Sequence, residues 1–300
     1  MNAGAPVAPG PVASPATGAV LLVVAGLACQ EVGASIAVLL FPEVGPLGMV
    51  MLRLAFSAVV LLAIARPRLR GHGHAAWTAV VSFGLVLALM NGLFYLALER
   101  LPLGVTVTIE VLGPLVLSII ASRRASAWLW AGLAFAGVVA LGGGGWDRLD
   151  LLGVLFALGA AASWAFYILA SARVGAAFPK LDGLALAMTA GALIALPFGI
   201  ADAGAALLRP EILGLGAAVA VLSSTLPYAF ELIALRRLAA SAFAILMSLA
   251  PATASLAGFV LLGQQLNLLE LLGIALVIAA SIGAVRAAGR HAREAVEPLG

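Results

Sequence analysis

The sequence predicts an all-α integral membrane protein, with ten transmembrane helices in two inverted five-helix repeats and both termini in the cytoplasm. Three observations support this prediction. The 300 residues are 64% hydrophobic and only 10% charged, whereas a soluble domain is about 25% charged. The apolar residues fall into ten stretches, most of them near the ~20 residues that a helix needs to cross a bilayer. The basic residues collect on one side of those stretches.

The first five stretches are each bounded by proline, glycine or charge. The first stretch ends before Pro42, the second at Arg66, the third at Glu99 and the fourth before Arg123. The fifth is the shortest and ends in a run of glycines. The predicted spans are 17–41, 46–66, 76–99, 103–122 and 126–142.

The second five stretches follow the same rule. Asp150 precedes the first of them, Asp182 opens the second, Glu211 opens the third and Arg236 ends it, and Gly263 follows the fourth. The predicted spans are 151–175, 182–202, 211–236, 240–262 and 267–287. Residues 1–16 are rich in Pro, Ala and Gly and carry no basic residue, so they predict a disordered tail rather than a cleaved signal peptide.

The distribution of the 16 Lys and Arg residues orients the spans. With ten spans, the side that holds both termini carries Arg66, Arg68, Arg70, Arg123, Arg124, Arg173, Lys180, Arg236, Arg237, Arg286, Arg290 and Arg293. The other side carries only Arg100, Arg148 and Arg209, and Arg53 lies inside a span. Positive charge in short loops marks the cytoplasmic side, so both termini are predicted to be cytoplasmic, with residues 288–300 as a cytoplasmic tail.

The same distribution bears on partners. A basic face against an anionic lipid leaflet accounts for the isoelectric point near 9.6, so no nucleic-acid partner is expected. The single cysteine, Cys29, excludes an intramolecular disulfide, and the three histidines lie in polar connections. We therefore expect no cofactor, no metal site and no catalytic centre, and membrane lipid as one partner.

A weak internal repeat relates the two halves. At an offset of 137 residues, Arg100 aligns with Arg237 and Pro114 with Pro251. The offset spans five helices, an odd number, so equivalent helices cross the membrane in opposite directions. The predicted repeats are residues 17–145 and 146–287, and the paired prolines are expected to bend equivalent helices.

Four charged residues lie inside otherwise apolar spans: Glu31, Arg53, Glu110 and Glu231. Each charge near mid-bilayer costs about 2.5–3.5 kcal/mol on insertion scales, and such residues mark functional sites by default. At ~1.5 Å per residue, Glu31, Arg53, Glu110 and the amide of Asn91 share one layer in the outer half. Glu231 lies apart, nearer the cytoplasmic boundary.

Structural explanations compete with functional ones at each position. Glu110 and Arg53 are also consistent with a structural ion pair, and Glu231 with a side chain that reaches the interface or pairs with nearby arginines. Asn91 is also consistent with a hydrogen bond to a neighbouring helix. Four aromatic residues are candidates for lining a cavity or for packing: Tyr95, Trp164, Tyr167 and Tyr228.

Four segments carry a resemblance to a known family. They are NGLFYLALERLPLGVTVTIEVLGPL from residue 91, ASRR at 121–124, ALGAAASWAFYILA at 157–170 and LSSTLPYAFELIALRRL at 222–238. In this order and spacing, the core 17–287 resembles the EamA-type branch of the drug/metabolite transporter superfamily. The resemblance implies two inverted five-helix halves around a central cavity, and export of small amphiphilic metabolites such as amino acids.

The resemblance extends to particular positions. It implies roles for Asn91, Glu110, Trp164, Tyr167, Tyr228 and Glu231. It implies none for Glu31, which has no place in the family pattern. Many members have Gly-Glu where this chain has Gly263-Gln264, so a coupling role for that glutamate does not carry over.

The resulting hypothesis is a secondary exporter of small hydrophilic amino acids, like threonine or homoserine, in the bacterial inner membrane. Its small-molecule partner is a zwitterion, which needs both an anion and a cation in the cavity. A proton gradient is the expected driver, since a carboxyl group inside a membrane can bind a proton on one side and release it on the other. The alternatives are an exporter of drugs or other metabolites, a membrane-embedded enzyme and a non-transport membrane scaffold.

Overall fold

The fold is all-helical throughout the described part of the chain. The structure is a computed structural model that describes residues 15–122, 125–141, 150–179, 181–235, 237–238 and 240–294. The helices are α1 (Pro15–Ala65), α2 (His74–Leu98), α3 (Leu103–Glu110), α4 (Leu112–Ser122), α5 (Ala125–Leu141), α6 (Leu151–Ala177), α7 (Asp182–Ala203), α8 (Pro210–Ala220), α9 (Leu226–Leu235), α10 (Ala240–Met247), α11 (Ala250–Leu262) and α12 (Leu268–Glu294). The predicted tails and the glycine run 142–145 fall largely outside these residues: 1–14, 142–149 and 295–300 are not described.

The helices have the length and composition of membrane spans. Within the described residues, eight helical segments are long and apolar enough to cross a membrane, and the apolar helix Trp128–Leu141 is shorter. Large apolar side chains such as Leu21, Trp128, Phe135 and Phe259 are exposed on the outside of the bundle. A surface of this kind is stable against lipid rather than water, so the chain is a multi-pass membrane protein.

The first two predicted spans are two arms of α1, joined at Gly45. Gly45 has φ 67° and ψ 164°, a conformation that breaks the helix and that glycine adopts at little cost. A side chain at Gly45 would collide with the carboxylate of Asp202. That carboxylate accepts hydrogen bonds from the backbone N–H groups of Leu47 (2.8 Å) and Gly48 (3.3 Å) and so caps the second arm.

Two predicted spans are interrupted just before a proline. The span 103–122 divides between α3 and α4 at Val111, and the span 240–262 divides between α10 and α11 after Met247. Pro114 and Pro251 have no N–H to donate to the carbonyl four residues earlier, at Glu110 and Met247 respectively. The helix is therefore interrupted just before both prolines, and each first half-helix ends at the carbonyl that loses its donor.

The span predicted at 211–236 is not one regular helix. It consists of α8, a π-helical turn at Val221–Thr225 and α9. A π turn holds one extra residue per turn and shifts the side chains that follow it. At the other end of the chain, α12 runs to Glu294, beyond the predicted boundary at 287.

Packing between helices that are distant in the sequence shows which helices surround the centre of the bundle. The first arm of α1 packs on α9 and the π turn, and the second arm packs on α7 and α8. α2 lies against α6 and α7, α3 against α11, and α5 against α12. Residues of α1, α2, α3, α6 and α9 thereby face one another across the centre of the bundle.

Ion pairs join connections at one end of the bundle. Arg100 donates to Asp150 at 3.0 Å, and Arg209 pairs with Glu43 and Glu211. Asp150 also accepts the Gly153 N–H at 2.9 Å and caps α6. This backbone hydrogen bond, and then Arg100, hold the pKa of Asp150 below its usual value.

Candidate functional site

A cavity of about 150 Å³ lies among the helices at the centre of the bundle. Seven of the nine residues predicted from the sequence line it: Glu31, Arg53, Asn91, Glu110, Trp164, Tyr167 and Glu231. The other lining residues are Gln30, Ala34, Met90, Phe94, Val107, Ser223, Met247 and Ala250. Residues from both halves of the chain therefore meet at one polar cavity, although their functional roles remain predictions.

Arg53 is held in a fixed orientation on the second arm of α1. Its Nη2 donates to the carbonyl oxygen of Ser223 at 3.0 Å, and its Nε donates to Ser224 Oγ at 3.3 Å. Its Nη1 donates to the hydroxyl of Tyr95 at 3.4 Å, and its Cζ lies 5.7 Å from the centre of the Tyr95 ring. Partners on three sides of the planar guanidinium fix its position at the cavity wall.

The π turn supplies two of these acceptors, and its approach to α1 depends on Gly33. A Cβ at Gly33 would lie 3.1 Å from both the Leu222 Cβ and the Ser223 backbone nitrogen, and closer still to the Ser223 hydroxyl. Only glycine lets the first arm of α1 come this close. π-helical turns occur often at functional sites, and this one presents a backbone carbonyl to the half-buried Arg53.

Glu110 ends α3 and faces the cavity together with Asn91. The charge of Arg53 acts on Glu110, and both side chains line the same cavity. The Asn91 side chain donates through Nδ2 to the Leu87 carbonyl of its own helix at 2.9 Å, which orients its amide.

Glu31 is the most buried charged group of the site. It is 1% exposed, and neither carboxylate oxygen has a hydrogen-bond partner within the part of the chain that the structure describes. Glu110 and Arg53 line the same cavity, and both act on Glu31 electrostatically. A carboxylate buried without any donor is costly, so its presence requires an explanation beyond packing.

Glu231, predicted nearer the cytoplasmic boundary, also contributes to the central site. It lines the central cavity and also a second cavity of about 370 Å³. The two cavities share Trp164, Glu231 and Met247 as a common wall. The second cavity is lined mainly by apolar residues of α4, α6, α10 and α12, such as Leu115, Ile168 and Phe243.

Two predicted site residues are not among the described lining residues. Tyr95 is fully buried behind Arg53, where its ring packs on Phe41 and Phe94, so it acts on the cavity only through the arginine. Tyr228 belongs to α9, but its side chain lies outside the described residues. Ser223, Ser224 and Gln30 were not predicted from the sequence. The two serines reach Arg53 because they lie in the π turn, and the apolar sequence around them gives no sign of that turn.

Gln264, the position where the chain departs from the family pattern, has a structural contact. Its side-chain oxygen accepts the backbone N–H of Leu103 at 2.9 Å and so caps α3. A glutamate oxygen accepts the same hydrogen bond, so the exchange of Glu for Gln preserves this capping function. Gln264 does not line either cavity among the described residues.

The arrangement suits a small polar ligand that carries charge. Three carboxylates and one guanidinium face a space enclosed by apolar helices, where charge–charge attraction is stronger than in water. The rings of Phe94, Trp164 and Tyr167 add faces that attract a cation. In the described part of the chain, no three His, Cys, Asp or Glu side chains are grouped to hold a metal ion.

Membrane-spanning helices around an internal polar cavity define the class of solute transporters. The EamA-like transporter family matches residues 151–286. The threonine/homoserine exporter RhtA of Salmonella typhimurium is 40% identical over 266 residues, which cover 88% of this chain and 90% of that protein. Its counterpart in Escherichia coli K12 is 39% identical over the same length. This chain belongs to the EamA-like transporter family.

More distant relatives agree with this assignment. The uncharacterized transporter YwfM of Bacillus subtilis is 30% identical over 231 residues, covering 74% of this chain and 78% of that protein. One solved crystal structure superimposes with a TM-score of 0.58 at 19% identity and covers 92% of this chain and 99% of that chain. At that identity, the superposition supports the fold alone.

Proposed function

We propose that the protein is a secondary exporter of small hydrophilic amino acids, like threonine and homoserine, in the bacterial inner membrane. The observation that carries the proposal is the meeting of one guanidinium, Arg53, and a carboxylate, Glu110, at one cavity among the helices. A zwitterion needs a cation for its carboxylate and an anion for its ammonium group, and this cavity has both in its lining. The 40% identity to a threonine/homoserine exporter supports this class of substrate.

In the proposed complex, the substrate lies between the charged groups. Arg53 binds its carboxylate, because a guanidinium matches the geometry of a carboxylate. Glu110 binds its ammonium group, and the Asn91 amide binds a polar side chain such as a hydroxyl. Trp164 and Tyr167 pack on the aliphatic part, and Tyr228 contributes from α9.

We propose ten membrane crossings in two inverted halves, 17–145 and 146–287, with both termini cytoplasmic. The packing supports this architecture, because it repeats when the halves are exchanged. The first arm of α1 lies on α9 as α6 lies on α2, and the second arm lies on α8 as α7 lies on α2. The breaks before Pro114 and Pro251 also fall at equivalent places.

The second cavity is the proposed cytoplasmic part of the route. In the ten-span topology, its lining residues lie in the cytoplasmic half of their helices. Trp164, Glu231 and Met247 separate it from the central cavity and so form an inner gate. Glu231 draws the ammonium group of an incoming substrate towards the centre.

A proton gradient is the proposed driving force. A proton that enters from outside binds a cavity carboxylate, with Glu110 as the proposed carrier, and is released to the cytoplasm when the cavity opens inward. The substrate ammonium and the proton then compete for one carboxylate, which couples their opposite movements.

The test is export from cells. Cells that produce the protein are loaded with labelled threonine or homoserine and compared with cells that do not. The proposal predicts faster loss of label from the producing cells. Equal retention across a panel of amino acids refutes it, and resistance to unrelated toxic compounds in the same cells favours the drug-exporter alternative.

A further inference from the structure

The binding of a zwitterion does not explain why Glu31 lines the cavity. Arg53 and Glu110 already supply the cation and the anion that a neutral amino acid needs. The described lining nevertheless carries three carboxylates against one guanidinium, a formal excess of two negative charges. With a neutral substrate, only protonation of the carboxylates balances that excess, because uncompensated charge inside the membrane is expensive.

The environment of Glu31 indicates a missing donor. The side chain lines the cavity, is 1% exposed, and neither oxygen accepts a hydrogen bond from the described protein. Protonation does not remove the deficit, because a neutral carboxyl group adds an O–H that also needs a partner. A ligand that brings N–H donors and positive charge satisfies both needs.

The neighbours of Glu31 place that donor beside the proposed zwitterion site. Arg53 and Glu110 are the charged groups that act on Glu31. The hydroxyl of Ser35, one turn further on, is turned back to the Glu31 carbonyl at 2.8 Å and does not reach the carboxylate. A second ammonium near Glu31 is thus a short distance from a substrate held by Arg53 and Glu110.

We infer that Glu31 is a second ammonium-binding group and that the protein exports compact diamino acids as well as neutral ones. The inference rests on the proposed amino-acid export. L-2,4-diaminobutyrate is the sharpest probe, because it differs from homoserine only by an ammonium group in place of the hydroxyl. The pair isolates the second charge from size and shape.

The experiment uses the purified full chain in liposomes loaded with labelled homoserine or labelled 2,4-diaminobutyrate. The wild-type protein is expected to release both. Glu31→Gln is expected to lower the ratio of diaminobutyrate efflux to homoserine efflux by about tenfold or more, because a charge-assisted hydrogen bond is lost. Ser35→Ala, a buried change on the same helix, is the control and leaves the ratio unchanged.

The outcomes separate the inference from the proposed function. Release of neither substrate refutes the proposed export. Release of homoserine alone by the wild-type protein, or an equal loss of both substrates in Glu31→Gln, overturns the inference and leaves amino-acid export standing. The second result assigns Glu31 to a step common to all substrates, such as proton binding.

If Glu31→Gln does not fold, a competition measurement on the wild-type protein tests the same inference. Unlabelled 2,4-diaminobutyrate inside the liposomes is expected to slow labelled homoserine efflux more strongly than 2-aminobutyrate, which has only a methyl group at that position. Weaker or equal competition by the diamino acid overturns the inference.

Discussion

The close contact between Gly33 and the π turn predicts that a larger residue at position 33 is costly, and the structure gives the size of that cost. An alanine Cβ at this position lies 3.1 Å from two atoms of the turn, one of them the Ser223 backbone nitrogen. Ordinary contact begins at 3.4 Å, so α1 and the turn must separate by about 0.3 Å even after the Ser223 hydroxyl rotates away. Overpacking of this kind costs about 1–3 kcal/mol.

The displaced turn carries the carbonyl and hydroxyl that hold Arg53. If that cost falls on the orientation of Arg53, Gly33→Ala slows homoserine export by about fivefold to 150-fold, since about 1.4 kcal/mol corresponds to tenfold. Export is measured as efflux of labelled homoserine from cells, divided by the amount of protein in the membrane.

Gly18→Ala is the matched control. Gly18 lies on the same arm of α1, and nothing lies within 4 Å of a Cβ placed there. Both substitutions bring the same gain in helix propensity, so only the contact differs. If Gly33→Ala exports homoserine as fast as Gly18→Ala, the argument that the π turn positions Arg53 is refuted.

Three further predictions follow from other contacts. Arg53→Lys keeps the charge but loses the planar fork, so the homoserine concentration for half-maximal export rises about tenfold or more, and unchanged kinetics contradict the hydrogen-bonding scheme. Gln264→Glu keeps normal export and thermal stability because it still caps Leu103, whereas Gln264→Leu lowers the melting temperature; equal melting temperatures argue against the cap. Asp150 has a pKa below its ordinary 3.8, so its stabilising effect is present above that value and lost as the pH falls through the lowered pKa. The melting temperature of the wild-type protein therefore falls as the pH is lowered through this range. The fall is smaller in Asp150→Asn.

Much of the fold could be predicted from apolar length and its punctuation. The helices follow the predicted spans because a bilayer requires long apolar segments. The breaks before Pro114 and Pro251 could also be predicted, because proline cannot donate the backbone hydrogen bond that continues a helix. The π turn was not predictable, because Leu222, Ser223 and Ser224 fit an ordinary helix equally well by composition. The union of two spans in α1 depends on the long-range contact between Asp202 and the backbone after Gly45.

The sequence predicted which residues form the candidate site better than it predicted how their side chains are arranged. Charge inside apolar segments selected Glu31, Arg53, Glu110 and Glu231, because burial of charge is costly wherever the helices pack. Residue counting along a helix gives depth but not the direction of a side chain. It therefore could not show that Glu231 lines the same cavity as the other charges, or that Tyr95 lies behind Arg53.

The most direct test of the account is efflux of labelled homoserine from liposomes that contain the purified protein. With acid outside and neutral buffer inside, the account predicts that the wild-type protein releases homoserine faster than protein-free liposomes and faster than without the gradient. Glu110→Gln, reconstituted to the same level, is predicted to lose this gradient-driven release. Wild-type release no faster than from protein-free liposomes, for threonine as well as homoserine, contradicts the account.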